Sequence, residues 1–160
     1  MSDKQITPPS AFDLSNRPGF LIRRLHQIHT ALFFEECGKF NVTPVQYSLM
    51  TAIAAQPGLE QARLAHEIGV DRATLANVVA RLETRSLLRR TTTKVDRRLK
   101  RVILTARGKR LLDQMTQAAW RAHARTVDAL PPTERAAFLH ALAHLVDAGN
   151  AFGRAPLRLT

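Results

Sequence analysis

Apolar residues recur at three- and four-residue steps through Leu21, Ile22, Leu25, Ile28, Leu32 and Phe33, with His29 on the same stripe. That spacing lines one face of an α-helix, here opened by Pro18 and closed near Gly38. A second helix is predicted from Thr43-Pro44-Val45-Gln46 to Pro57-Gly58: Thr43 caps it, Pro44 needs no donor there, and Gln46 can return to the cap. A short helix follows from about Gln61 to Ile68, then a tight turn at Gly69-Val70. Asp71 caps the next helix, Arg72 to about Arg85, whose apolar stripe is Leu75, Val78, Val79 and Leu82. Two short helices a few residues apart read as a helix-turn-helix.

After Ser86 the period changes from helical to alternating. Leu87–Thr91 and Leu99–Leu104 are predicted strands joined by a polar loop through Lys94, Val95, Asp96, Arg97 and Arg98, which makes a hairpin wing directly behind the second short helix. Thr105 caps a long helix that buries Leu111, Leu112, Met115, Ala119, Ala122 and Val127. Pro131-Pro132 ends it, and a last helix spans about Thr133 to Ala148. The expected fold is mainly α with one small β-hairpin: a winged helix-turn-helix flanked by helices. Residues 1–16 read as a loose arm and residues 150–160 as a tail.

Charge sharpens this picture. The net charge is +11, and the window Arg72–Arg110 holds 13 Lys/Arg against only Glu83 and Asp96, so it carries the whole excess. The rest of the chain balances at 11 basic and 11 acidic side chains. A basic block confined to the helix and hairpin points at a polyanion. With its apolar stripe buried, the second short helix offers Arg72, Ala73, Thr74, Asn77 and Arg81 outward. Such a helix fits the major groove, where Arg72 can pair with guanine and Asn77 with adenine, while Thr74 can donate to a phosphate or base. Arg97 and Arg98 at the hairpin tip can enter a narrow minor groove, with Asp96 bracing a neighbouring arginine. Arg89, Arg90, Lys100 and Arg101 on the strands are expected to face phosphates.

The segment Val70-Asp71-Arg72-Ala73-Thr74, and above all Asp96-Arg97-Arg98 followed by Val102-Ile103-Leu104-Thr105-Ala106-Arg107-Gly108, resembles the MarR family of transcription regulators. The likeness extends over residues 17–149. It implies a winged helix-turn-helix at about 59–105 and a dimerisation lobe from helices at about 18–40 and 106–149. It further implies a homodimer on a pseudo-palindromic duplex, Thr74 and Asn77 at base-contacting positions, and a wing arginine in the minor groove. Glu60 stands where the family often has a Ser or Thr cap, and Ser86 where a glycine commonly ends the recognition helix. The resemblance also implies a repressor released by a small aromatic or phenolic carboxylate. His26, His29, Phe33 and Tyr47 are the candidate lining groups, with Arg23 as carboxylate partner.

Other readings use the same residues. A sequence-independent architectural DNA binder is compatible with the basic block. A thiol-responsive regulator would use Cys37, although a helix C-terminus disfavours its thiolate. His140 and His144 have a zinc-compatible spacing but no third ligand in sequence. No phosphate-binding Gly-rich loop or nucleophile–base pattern is recognisable, so no enzymatic activity and no cofactor are expected. Met1–Ser10 lacks the apolar run of a secretion signal, and no stretch approaches the ~18 apolar residues of a membrane span, so a cytoplasmic location is expected.

Overall fold

A computed structural model describes residues 14–92 and 100–153. Helix α1 (Pro18–Cys37) passes through a 3-10 turn at Gly38–Phe40 into α2 (Pro44–Ala55). The short helices α3 (Gln61–Glu67) and α4 (Arg72–Thr84) come next. Strands β1 (Leu88–Thr92) and β2 (Lys100–Leu104) follow, then α5 (Ala106–Val127), α6 (Pro132–Ala148) and a closing 3-10 turn. The chain is therefore a winged helix-turn-helix set among long helices. The strands are antiparallel, with Leu88 opposite Leu104 and Thr92 opposite Lys100. Glu60 adds an isolated bridge to Arg101 on the other edge of β2, which ties the start of α3 to the hairpin.

Local chemistry accounts for most boundaries. Thr43 accepts from Gln46 N at 3.3 Å while Gln46 Oε1 accepts from Thr43 N at 3.1 Å, a complete capping box. Glu60 provides no side-chain cap to α3. Ser86 adopts φ 57°, the left-handed region, immediately after α4. This is the physical reason a glycine would suit the position, and the serine bears the strain instead. Strand β1 starts one residue later than the alternation predicted, the predicted start of the second strand at Leu99 lies outside the described residues, and α6 begins at Pro132 rather than Thr133, its proline taking a first-turn position.

One continuous core joins the elements. Phe33 and Cys37 of α1 meet Leu49, Met50 and Ile53 of α2, with Leu64, Leu75, Val79 and Leu82 from the helix-turn-helix, Leu88, Val102 and Leu104 from the hairpin, and Met115 of α5. Each such side chain contributes about 1.5–3 kcal/mol on burial. Ala118, Ala119 and Ala122 are buried on α5, and small side chains let it approach α1 closely. Glu36 of α1 accepts from Arg121 at 2.8 Å and from Arg125 at 2.9 Å of α5. Those bonds hold its carboxyl below the usual carboxylate range. By contrast, Leu21, Ile22 and Ile28 of α1 are exposed, and α6 has no buried residue.

Candidate nucleic-acid interface and ligand cleft

The second helix of the helix-turn-helix is positioned at both ends. At its start, Asp71 accepts from Thr74 N at 2.8 Å and from Thr74 Oγ1 at 2.7 Å. These bonds hold the Asp71 carboxyl below its ordinary range. At its end, Arg85 donates to the carbonyl oxygens of Phe40 and Asn41, reaching from α4 to the turn that follows α1. Between these anchors Arg72, Ala73, Asn77 and Arg81 are exposed on the outer face, while Leu75, Val78, Val79 and Leu82 are buried. Thr74 differs from its expected role. Expected to donate to a phosphate or base, its hydroxyl here donates to Asp71, while its methyl stays available to a thymine.

The hairpin also corrects two expectations. Arg90, expected to face phosphate, is exposed but already ion-paired within the chain. It pairs with Glu83 at 2.9 Å, and Glu83 also accepts from Arg90 N at 3.0 Å, fastening the strand to the last turn of α4. Arg101 is half-buried, and its Nε makes no hydrogen bond among the described residues. Arg89 is exposed on the opposite hairpin face, beside a groove it shares with Lys109 and Asp113. Asp96, Arg97 and Arg98 lie outside the described residues, as does the side chain of Lys100.

Val102, Leu104, Thr105 and Gly108, which follow the hairpin tip in sequence, share one structural task. Val102 and Leu104 enter the core, and Thr105 Oγ1 accepts from Gly108 N at 3.0 Å while donating to Ser86 O at 2.7 Å. Thr105 N also donates to Leu87 O at 3.0 Å. These residues join the root of the hairpin to the start of α5.

Between the long helices and α3 lies a cleft of about 430 Å³, walled by His29 and Phe33 of α1, Tyr47 and Thr51 of α2, Glu67 of α3 and His123 of α5. Its size is that of a small-molecule site. The Phe33 and Tyr47 ring centroids are 5.8 Å apart, and His29 stacks on His123 at 5.0 Å with an interplanar angle of 22°. His29 Nδ1 lies 2.8 Å from Thr126 Oγ1. Burial lowers the His29 pKa, and the neighbouring His123 and His26 lower it further. A second cleft of about 450 Å³ shares the Tyr47 and His123 walls and adds Thr116, Gln117 and the exposed Trp120.

Three of the five residues singled out for a ligand, His29, Phe33 and Tyr47, thus come together. Arg23 and His26 do not line the cleft. Both are exposed on the first half of α1, and Arg23 sits over the Phe20 ring at 5.3 Å. Sequence reasoning missed His123, Thr126 and Glu67. Thr126 sits one turn beyond His123 on α5, and Ala122 is its buried neighbour, so the available signal was a polar pair beside a small-residue stripe. Cys37 is buried, and its thiol pKa is raised, first by burial and then by Glu36. His140 and His144 are exposed, and among the described residues no group of three potential ligands could hold a metal. No described helix is long and apolar enough to cross a membrane.

Comparison with known proteins places this geometry in a family. The MarR family model matches residues 42–100. The transcriptional repressor NicR of Pseudomonas putida is 31% identical over 156 residues, which cover 94% of this chain and 99% of NicR. Among solved structures, BpsR of Bordetella bronchiseptica, whose DNA binding is regulated by 6-hydroxynicotinic acid, superposes with a TM-score of 0.80 at 29% identity, covering 85% of this chain and 97% of BpsR. PcaV of Streptomyces coelicolor, solved with its natural ligand, gives 0.79 at 32% identity, covering 88% of this chain and 99% of PcaV. With its capped recognition helix, its hairpin and its full-length relatives, the chain belongs to the MarR family of DNA-binding transcriptional regulators.

Proposed function

We propose that this chain acts in the cytoplasm as a homodimeric repressor of a pseudo-palindromic operator, released when a small aromatic or phenolic carboxylate fills the His29–His123 cleft. One observation carries the reading: the cleft's walls come from the long helices α1, α2 and α5 and also from Glu67 and Ile68 at the end of α3, the first helix of the helix-turn-helix. An occupant touching both sets biases the orientation of the DNA-reading helix, as ligand-driven population shift requires. His29, Phe33 and Tyr47 line the site. Arg72, Ala73, Thr74, Asn77 and Arg81 face the major groove, and Asp96, Arg97, Arg98 and Lys100 serve the wing. The relatives support the ligand class, since BpsR answers to 6-hydroxynicotinic acid.

The test is a binding titration on the DNA upstream of the protein's own gene. Specific binding at moderate salt should be reversed by 6-hydroxynicotinate or 4-hydroxybenzoate, and Asn77→Ala should cost about 1–3 kcal/mol on the operator but little on random duplex. Equal loss on both duplexes, or no preference for the upstream DNA, would remove the sequence-reading role.

A further inference from the structure

The cleft contains a proton site whose orientation the hydrogen bonds determine. Thr126 Oγ1 has one hydrogen, and it is donated to Ala122 O at 2.8 Å, the usual back-bond to the preceding turn. Toward His29 Nδ1, also at 2.8 Å, the same oxygen can therefore only accept. Satisfying both contacts assigns the hydrogen to His29 Nδ1, and in the neutral ring this leaves the lone pair on Nε2. Among the described residues no hydrogen bond to Nε2 is made. The ring is half-buried in the cleft wall and stacked on His123, so its second nitrogen is a base without a proton donor.

We infer that His29 Nε2 is the effector receptor: the cleft binds the carboxylate of an aromatic acid together with one proton taken from solvent. This inference rests on the proposed effector reading and specifies its chemistry. The proton goes onto Nε2, the ring becomes an imidazolium that still donates through Nδ1 to Thr126, and the new Nε2–H donates to the carboxylate in a charge-assisted bond. Without ligand the cation is opposed by burial and by the nearby His123 and His26, which keep the ring neutral. The anion supplies the compensating charge. The other groups at this wall are Tyr47 from α2 and Glu67 from α3, and among the described residues neither hydrogen-bonds to His29.

The linkage sign follows. His29 has a low pKa in the free protein and a higher one in the complex. Protons are taken up between those two values, and across that window affinity falls as pH rises, by up to about tenfold per pH unit. Below the free value the ring is already charged and the dependence disappears.

Two measurements on the full-length protein test this. Nitrogen-15 NMR of the unliganded protein at alkaline pH should show His29 as the Nδ1–H tautomer; the Nε2–H tautomer would overturn the assignment whatever the effector is. Calorimetric titration with 4-hydroxybenzoate in two buffers of different ionisation enthalpy should show net proton uptake near neutral pH. His29→Asn, whose amide can still donate to Thr126, should abolish that uptake and flatten the pH dependence. Binding without proton uptake overturns the proton-linked receptor and leaves the effector reading standing. If neither 4-hydroxybenzoate nor 6-hydroxynicotinate binds at any pH between 5 and 8, both the receptor and the effector reading fall.

Discussion

Gly108 stands in the first turn of α5, where a Cβ would lie 2.1 Å from the carbonyl oxygen of Leu87 and 3.1 Å from Leu104 Cδ2. The obstacle is mostly backbone, so it cannot rotate aside, and the loop from Leu104 into α5 is fixed by the Thr105 bonds. Gly108→Ala should therefore destabilise the fold by about 2–3 kcal/mol, read as a fall of several degrees in Tm. Gly19 is the control: a methyl group added there would meet nothing within 4 Å, and Gly19→Ala should leave Tm unchanged or slightly raised. At this scale the sequence was partly legible. The caps at Thr43, Asp71 and Thr105 could be read because capping is local chemistry. That Thr74 gives its hydroxyl hydrogen to Asp71, and Arg90 its guanidinium to Glu83, could not, because a charged or polar side chain near DNA-facing residues has two possible partners and only three-dimensional distance chooses between them.

Between elements, Arg85 is the informative contact. It ends α4, yet its guanidinium holds the Phe40 and Asn41 carbonyl oxygens beyond α1, next to Asn41 in the left-handed conformation at φ 52°. The recognition helix and the α1–α2 connection thus share one forked cation. Arg85→Ala should lower unfolding free energy by about 1–3 kcal/mol in a denaturant titration, and Arg85→Lys should recover only part, since an ammonium cannot reproduce the planar fork. Full recovery by lysine would reduce the contact to simple charge. Helix and strand existence was legible from periodicity, to within a residue at most ends. The cleft was half legible: His29, Phe33 and Tyr47 fall at helical spacings or beside a cap, whereas His123 and Glu67 reach it only through the packing of α5 and α3 against α1 and α2.

For the whole molecule, the uncovered surface is the main fact. Leu21 and Ile22 on α1, and Leu139, Leu145 and Val146 on α6, are all at least 45% exposed, although each lies on a helix. Exposed apolar side chains gathered on two helices suit an association surface, and the homodimer is expected to cover them. Leu139→Asp combined with Leu145→Asp should yield a monomer by sedimentation while helical circular dichroism is retained. Operator affinity should fall toward the level for random DNA, because two half-sites about 34–36 Å apart can then no longer be held by one particle. A double variant that stays dimeric would move the interface elsewhere. Periodicity announced these helices but not their exposure, because an apolar stripe reads identically whether its cover is the same chain or another copy.

The joint at Thr105 has a mechanical corollary. Beyond it the hairpin is lashed to the helix-turn-helix by the Glu60–Arg101 bridge, the Arg90–Glu83 pair and the buried Val102. The strands and the end of α4 are therefore fastened to turn as one piece. A rotation of α5 carried through Thr105 would thus shift the hairpin and the recognition helix together, not one past the other.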